Sequence, residues 1–201
     1  MVEQFQQGYS ATIFAYGQSG SGKSFTLIGY PGHTGIVDFV SAQLFSNSPG
    51  KTVVQYKLQI IEIYNEAVRD LQNVDNTDLK VVEYKGQTMV EGASSVDVQS
   101  ANQYKQCLEK ALKNRAVGCT NLNERSSRSH LLIMIKLGKS QLTICDLAGS
   151  ERISKTGAKD ELLVQANSIN SSLLVLGRVI QALVRKEARI AYRDSKLTRL
   201  L

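Results

Sequence analysis

Residues 16–27 read YGQSGSGKSFTL. Gly17 is followed by four residues and then by Gly22, Lys23 and Ser24, the full spacing of a phosphate-cradling loop. Just before it, TIFAYG at 12–17 is a short apolar run ending in glycine, which reads as a buried strand entering a turn. After it, Lys23 to Leu27 should open a helix. In such a loop successive backbone N–H groups converge on phosphate oxygens, and the following helix adds its positive end. Glycines at 17, 20 and 22 let the backbone approach without Cβ clashes. Lys23 would reach the β- and γ-phosphates, and Ser24 would set its hydroxyl on Mg²⁺.

A phosphate loop needs partners that sense and split the γ-phosphate. DLAGSE at 146–151 follows the apolar stretch QLTIC, so Asp146 falls at the C-terminal end of a strand, where ligands of such sheets bind. Its carboxylate can hold Mg²⁺ through water, and the Gly149 N–H can contact the γ-phosphate. NERSSRSH at 123–130 offers the hydroxyls of Ser126 and Ser127 beside Arg128. Hydroxyls can bind the γ-phosphate or the metal, and an arginine can pair bidentately with a carboxylate. The carboxylate available is Glu151, and an Arg128–Glu151 bridge would clamp two loops when the γ-phosphate is present. For His130 a structural place at the start of a strand is favoured over a functional one.

The rest of the chain supplies a scaffold of mixed strands and helices. A helix is expected over 36–45. VVQYKLQIIEIY at 53–64 alternates through Val54, Tyr56, Leu58 and Ile60 and then shifts phase to Ile61 and Ile63. That implies either a bulge near the shift or burial on both faces beyond it. LKVVEY at 79–84 is another strand, and Ser100 with Gln103 fits a capping box for a helix reaching about Arg115. LLIMIKL at 131–137 and QLTICDL at 141–147 are strands joined by a short hairpin. Leu162, Ala166, Ile169, Leu173, Leu176, Ile180 and Leu183 recur at steps of four and three, the stripe of one long helix from Glu161 to Val184. The pattern predicts an α/β sandwich.

Of 201 residues, 42% are hydrophobic and 21% charged, as in a folded globular domain. The apolar runs fall far short of the ~20 residues of a spanning helix, and the N-terminus shows no secretory signal. Cys107, Cys119 and Cys145 are widely spaced and read as free thiols in a reducing compartment. The net charge of +6 is uneven: residues 151–201 hold ten basic and five acidic side chains. An acidic partner at that end and a solvated basic face explain the excess equally well.

TIFAYGQSGSGKSFTL, NERSSRSH and DLAGSE resemble the nucleotide loop and the two switches of the kinesin motor domain. EIYNE at 62–66, NSINSSLLVLGRVIQAL at 167–183 and YRDSKLTRLL at 192–201 resemble further kinesin motifs, the last two its relay helix and the helix after it. They run in the family's order from residue 12 to the end. The resemblance implies the fold of a phosphate-loop NTPase, with a central sheet sandwiched by helices in a single unit over 1–201. Relative to the family's pattern, that unit would lack its first strands and its last helix. It also implies an ATPase with ATP and Mg²⁺ as cofactors, coupling hydrolysis to movement on microtubules in the cytoplasmic cytoskeleton. The competing expectation is a microtubule-binding module insensitive to nucleotide, or an inactive motor fragment. No nucleic acid partner or membrane insertion is expected, and oligomeric state is left open.

Carried over by position, Gly17, Gln18, Ser19, Gly20, Ser21, Gly22, Lys23, Ser24 and Phe25 would bind the nucleotide. Ser24, Ser127 and Asp146 would hold the metal, and Ser126 and Ser127 would serve the γ-phosphate. Asn123 would help position the attacking water, and Arg128 with Glu151 would form the closing bridge. Arg152, Lys155, Arg185, Lys186, Arg193, Lys196 and Arg199 would face acidic tubulin. Arg193, Lys196 and Arg199 are three apart and are expected on one helical face. Ser171 stands where the family usually has a lysine, which implies a weaker filament grip. Ser19 and Ser24 replace the more usual threonines and keep the hydroxyls.

Overall fold

The computed structural model describes residues 1–46, 54–117, 127–151 and 160–201, and of 160–170 the backbone alone. In chain order, α1 (Val2–Gln6), β1 (Ala11–Ala15), α2 (Lys23–Ile28), β2 (Gly29–Tyr30), β3 (His33–Thr34) and α3 (Ile36–Leu44) come first. Next are β4 (Tyr56–Tyr64), β5 (Ala67–Asp70), β6 (Val81–Tyr84), β7 (Gln87–Val90), β8 (Val96–Val98) and α4 (Ala101–Val117). They are followed by β9 (His130–Leu137), β10 (Ser140–Asp146), α5 (Asp160–Val184), a 3₁₀ turn (Tyr192–Asp194) and α6 (Lys196–Leu200).

The main sheet has the order β1-β10-β9-β4-β5, with β8 also paired to β4. β1 and β10 run parallel, with Ala15 opposite Asp146, so both strands end at the same edge. That single parallel pair puts the loop after β1 beside the stretch after β10, and the site follows from it. The other pairings of the sheet are antiparallel.

β4 settles the choice left open by its phase shift. Its ladder to β9 runs unbroken from Lys57↔Lys136 to Ile63↔His130, so no bulge interrupts it. Both faces are buried instead. Tyr56, Leu58 and Ile60 join a core with Phe5, Val40, Leu44 and Leu108 on the side of α1, α3 and α4. Ile61 and Ile63 join the opposite core with Leu173, Leu176, Leu197 and Leu200 of α5 and α6. The alternation never changes; a second core begins. The sheet is therefore the middle of three layers.

The connections obey local chemistry. Asn65 and Glu66, at φ 51 and 58, make the two-residue turn between β4 and β5, where both positions require the left-handed region. Gly138, at φ 59, and Lys139 close the β9–β10 hairpin across the pair Ser140↔Leu137. At the start of α4 the Gln103 amide donates to Ser100 Oγ at 3.3 Å. The Gln103 side chain accepts from the Gln99 N–H at 2.8 Å, one residue before the position a regular capping box would use.

Two expectations about helices change. In α5 Leu173 and Leu176 are buried as expected, but Ile180 and Leu183 are 39% and 49% exposed while Val175, Val179 and Ala182 are buried. The side chains of Leu162, Ala166 and Ile169 lie outside the described residues. Arg193, Lys196 and Arg199 do not share one helix: Arg193 sits in the 3₁₀ turn, Ser195 is extended, and α6 starts at Lys196. Ser195 Oγ accepts from the Leu197 N–H and caps α6, which breaks the periodicity. Among the described residues no helix is long and apolar enough to cross a membrane.

Candidate functional site

The loop leaving β1 bends through Gly17, Gly20 and Gly22, all at positive φ, with Gly22 at φ 88 as the N-cap of α2. Lys23 Nζ donates to the carbonyls of Gly17 at 3.0 Å and Gln18 at 2.7 Å, so the ammonium lies over the loop, where a phosphate chain would run. Ser24 Oγ donates to Asp146 Oδ2 at 2.5 Å. The two expected metal-side groups thus meet, although 122 residues separate them. Phe25 is 54% exposed beside the loop, its ring 5.7 Å from that of His33. Gln18, Ser19 and Ser21 lie in the same loop, where the Ser21 N–H donates to the Gln18 carbonyl.

The stretch after β10 is tied to both neighbours. The Ser150 N–H donates to Gly17 O at 3.1 Å, and the Gly149 N–H donates to Ser127 O at 2.8 Å. The Gly149 amide therefore spends its hydrogen on Ser127. A Cβ at Gly149 would meet Ser19 Oγ and the Glu151 carboxylate, so a larger residue there would push those two side chains from their present bond.

Glu151 is placed differently from the expected bridge. Its carboxylate accepts from the Ser19 N–H at 2.8 Å and from the Ser19 hydroxyl. Arg128 is not paired with it, and Arg128 Nη1 is buried without a hydrogen-bond partner. Partial burial opposes the charge on Glu151. The Ser19 hydroxyl and amide, the Glu151 amide and nearby Lys23 outweigh it and hold the carboxyl below its usual range. Asn123, Ser126, Arg152 and Lys155 lie outside the described residues.

Sequence reasoning missed the group that anchors Asp146. Arg115 in the last turn of α4 is buried, with Nη1 3.5 Å from Asp146 Oδ2 and Nε 3.5 Å from Glu62 Oε1. Its Nη2 donates to Ser129 O and Oγ, both at 3.2 Å, and Ser129 Oγ donates to Glu62 Oε1 at 2.7 Å. Arg69 on β5 stands 3.6 Å from Glu62 Oε2. A signal existed: Tyr104, Leu108, Ala111 and Arg115 form the buried stripe of α4, and the arginine holds an apolar phase. EIYNE gains two roles. Glu62 balances Arg115, and Glu66 accepts from the Lys196 N–H at 2.8 Å and the Ser195 hydroxyl at 3.3 Å, holding the start of α6.

The donor set can be tested against Mg²⁺. Asp146 Oδ1 is buried and lacks a hydrogen-bond partner, while Oδ2 meets the Ser24 hydroxyl. A hydroxyl and a carboxylate oxygen are hard donors, and Mg²⁺ is usually held by one or two protein groups with waters and phosphate oxygens. Among the described residues no cluster of three or more His, Cys, Asp or Glu could hold a metal alone. The residues fit Mg²⁺ shared with a nucleotide.

The basic residues are spread around α5 and α6. Arg185 and Lys186 are exposed just past the end of α5, with Arg185 3.9 Å from Glu187. Arg193 pairs with Glu83 of the β6–β7 hairpin at 2.6 Å, and Lys196 lies 3.9 Å from Asp78. Arg199 is half-buried on α6. Cys107 and Cys145 are free thiols, and Cys119 lies outside the described residues.

A parallel strand pair ending in a phosphate-type loop and a carboxylate, inside a three-layer sandwich, defines a phosphate-loop nucleotide-binding protein of the α/β class. The family model for the kinesin motor domain matches residues 1–201. The kinesin heavy chain of Strongylocentrotus purpuratus is 38% identical over 219 residues, covering 100% of this chain and 21% of that protein. The kinesin heavy chain of Caenorhabditis elegans is 40% identical over 219 residues, covering 100% of this chain and 27% of that one. A solved structure titled as that of a fast kinesin superposes with a TM-score of 0.86 at 36% identity, covering 100% of this chain and 62% of that chain. The chain belongs to the kinesin motor domain family. It spans about a fifth to a third of the length of the curated relatives it matches.

Proposed function

We propose that this chain binds Mg²⁺ and ATP, splits the γ-phosphate, and couples that step to its grip on microtubules. The observation that carries the reading is the meeting of Ser24 with Asp146 at 2.5 Å, under a phosphate loop and beside an unpartnered buried Asp146 Oδ1. Mg²⁺, when bound, neutralises charge developing on the phosphate oxygens. The chain's own work is placement and electrostatic stabilisation, as phosphoryl transfer requires. Loop amides from Gly17 to Ser24 cradle the phosphates, and Lys23 moves its ammonium from the Gly17 and Gln18 carbonyls to the γ-phosphate. Phe25 offers its exposed face to the base. Asn123 and Ser126 position water and γ-phosphate, with Ser127 at the metal. The attacking water adds to phosphorus as the bond to the β-phosphate oxygen breaks, giving ADP and inorganic phosphate.

Charge supplies the partner. The surplus of basic residues lies after residue 150, in the stretch that includes α5 and α6, and tubulin presents an acidic surface. Arg152, Lys155, Arg185, Lys186, Lys196 and Arg199 would supply the contact, with Arg193 tied to the hairpin through Glu83. The site of action is accordingly the microtubule cytoskeleton. The deciding experiment is ATP turnover by the chain with and without microtubules, beside Lys23→Ala. Turnover stimulated by microtubules and lost in Lys23→Ala is expected, by about 10²-fold or more for removal of a transition-state charge contact. Microtubule binding indifferent to nucleotide would leave a filament-binding module in place of a motor.

A further inference from the structure

Three parts of the nucleotide response meet at one side chain to which the family resemblance gave no role. His130 is the first residue of β9, two residues beyond Arg128. Its Nδ1 accepts the Ala148 N–H at 3.1 Å, inside the DLAGSE stretch. Its Nε2 lies 2.9 Å from Ser172 Oγ on α5. An acceptor role at Nδ1 puts the ring proton on Nε2, so the imidazole is neutral and donates to Ser172. His130 and Ser172 are 2% and 3% exposed, so both bonds are shielded from water.

Ala148 is two residues from Asp146 and one from Gly149, whose amide is held by Ser127. A shift of that stretch toward a γ-phosphate moves the Ala148 N–H relative to the imidazole. The ring is rigid and its two nitrogens face opposite partners, so a displacement at Nδ1 is felt at Nε2.

We propose that His130 is a positioning residue that carries the nucleotide state from the Ala148 amide to α5 through Ser172. The inference rests on the reading of the chain as a nucleotide-driven motor. Burial, with Arg115 nearby, pushes the His130 pKa down to about 4, which keeps the ring neutral at working pH and the relay intact.

The test changes the far end of the relay and leaves the phosphate site alone. Hydrogen exchange of residues 171–184 is measured with MgADP and with a non-hydrolysable Mg-ATP analogue, in the parent chain, Ser172→Ala and Ser172→Thr. Nucleotide affinity is followed in each. In the parent, exchange protection of 171–184 should differ between the two nucleotides by about five-fold or more, the usual scale of site-to-site coupling. Ser172→Ala should keep nucleotide affinity within about two-fold and lose that difference. Ser172→Thr, which restores a hydroxyl, should recover it. Restored coupling separates a relay from a filled core position, because loss of packing would shift protection equally in both nucleotides. An Ala variant that retains the full nucleotide dependence overturns the relay while leaving the motor reading intact. A parent chain that binds neither nucleotide overturns both.

Discussion

At Asp146 one carboxylate answers to two buried neighbours, the Ser24 hydroxyl on the loop side and the Arg115 guanidinium on the helix side. Arg115 also faces Glu62, so its removal leaves Asp146 buried without a counter-charge among the described residues and Glu62 with Arg69 alone. Breaking such a cluster from one side costs about 3–5 kcal/mol, because the remaining charges stay desolvated. Arg115→Ala should therefore lower the unfolding free energy measured in urea by that amount, and Glu62→Gln in the same background should restore part of it. An Arg115→Ala chain as stable as the parent would show that solvent reaches the cluster. The second residue-scale prediction concerns the bridge that this structure does not form. Arg128 Nη1 is buried and unpartnered, and Glu151 rests on Ser19, so the proposed bridge would require Glu151 to leave Ser19 when a γ-phosphate arrives. Arg128→Ala and Glu151→Ala should each slow ATP turnover by about ten-fold or more, and the double variant should add little, as residues acting as one unit behave. Additive losses in the cycle would mean the two side chains never meet.

Elements were legible wherever a period or a motif carried them. The loop at 17–24, the hairpin at 138–140 and the long helix all stand where their patterns put them. Burial on both faces of β4 was one of two options its phase shift allowed. The misses share a physical cause: tertiary contacts override local period. Ser195 interrupts Arg193, Lys196 and Arg199 because its side chain caps α6 and Glu66 binds the same turn from the β4–β5 turn. A single-sequence period cannot contain that long-range bond. The buried face of α5 departs from the expected stripe beyond Leu176, where Val179 and Ala182 are buried in place of Ile180 and Leu183. The turn at Asn65 and Glu66 was hidden because only asparagine there favours positive φ. Arg115 was visible as a charge in an apolar phase, but its partners Glu62 and Asp146 come from other strands. The filament face can be tried at the level of α6. Lys196→Glu with Arg199→Glu should weaken microtubule co-sedimentation several-fold and flatten its salt dependence, since screening reaches ~8 Å at physiological ionic strength. Nucleotide affinity should be unchanged, as neither residue approaches the phosphate loop. Co-sedimentation untouched by reversal and by salt would leave the basic surface as solvated charge.

At the scale of the whole molecule, the sheet joins two cores, and His130 sits where the nucleotide edge of the sheet meets the α5 side. Its titration therefore reports on the integrity of the entire fold. An ordinary histidine titrates near 6.5, whereas burial and the charge of Arg115 hold His130 at about 4 in the folded chain. The folded pKa lies below the unfolded one, so between these values the unfolded chain binds the extra proton. Stability is fully present above pH ~6.5 and falls as pH drops toward 4, by about 3 kcal/mol in all when each pKa unit is worth ~1.4 kcal/mol. Glu151 adds a loss of the same sign at lower pH, since its folded carboxyl is also held down, but its exposure lets solvent and salt screen it. The chain has two histidines, His33 and His130, so ring proton resonances can follow each one directly. His130 should keep the shift of a neutral imidazole from pH 7.5 to pH 5, while the urea midpoint falls over the same range. A His130 resonance that titrates near 6.5 with an unchanged midpoint would mean that the imidazole is open to water and that the bond from Ala148 does not hold it.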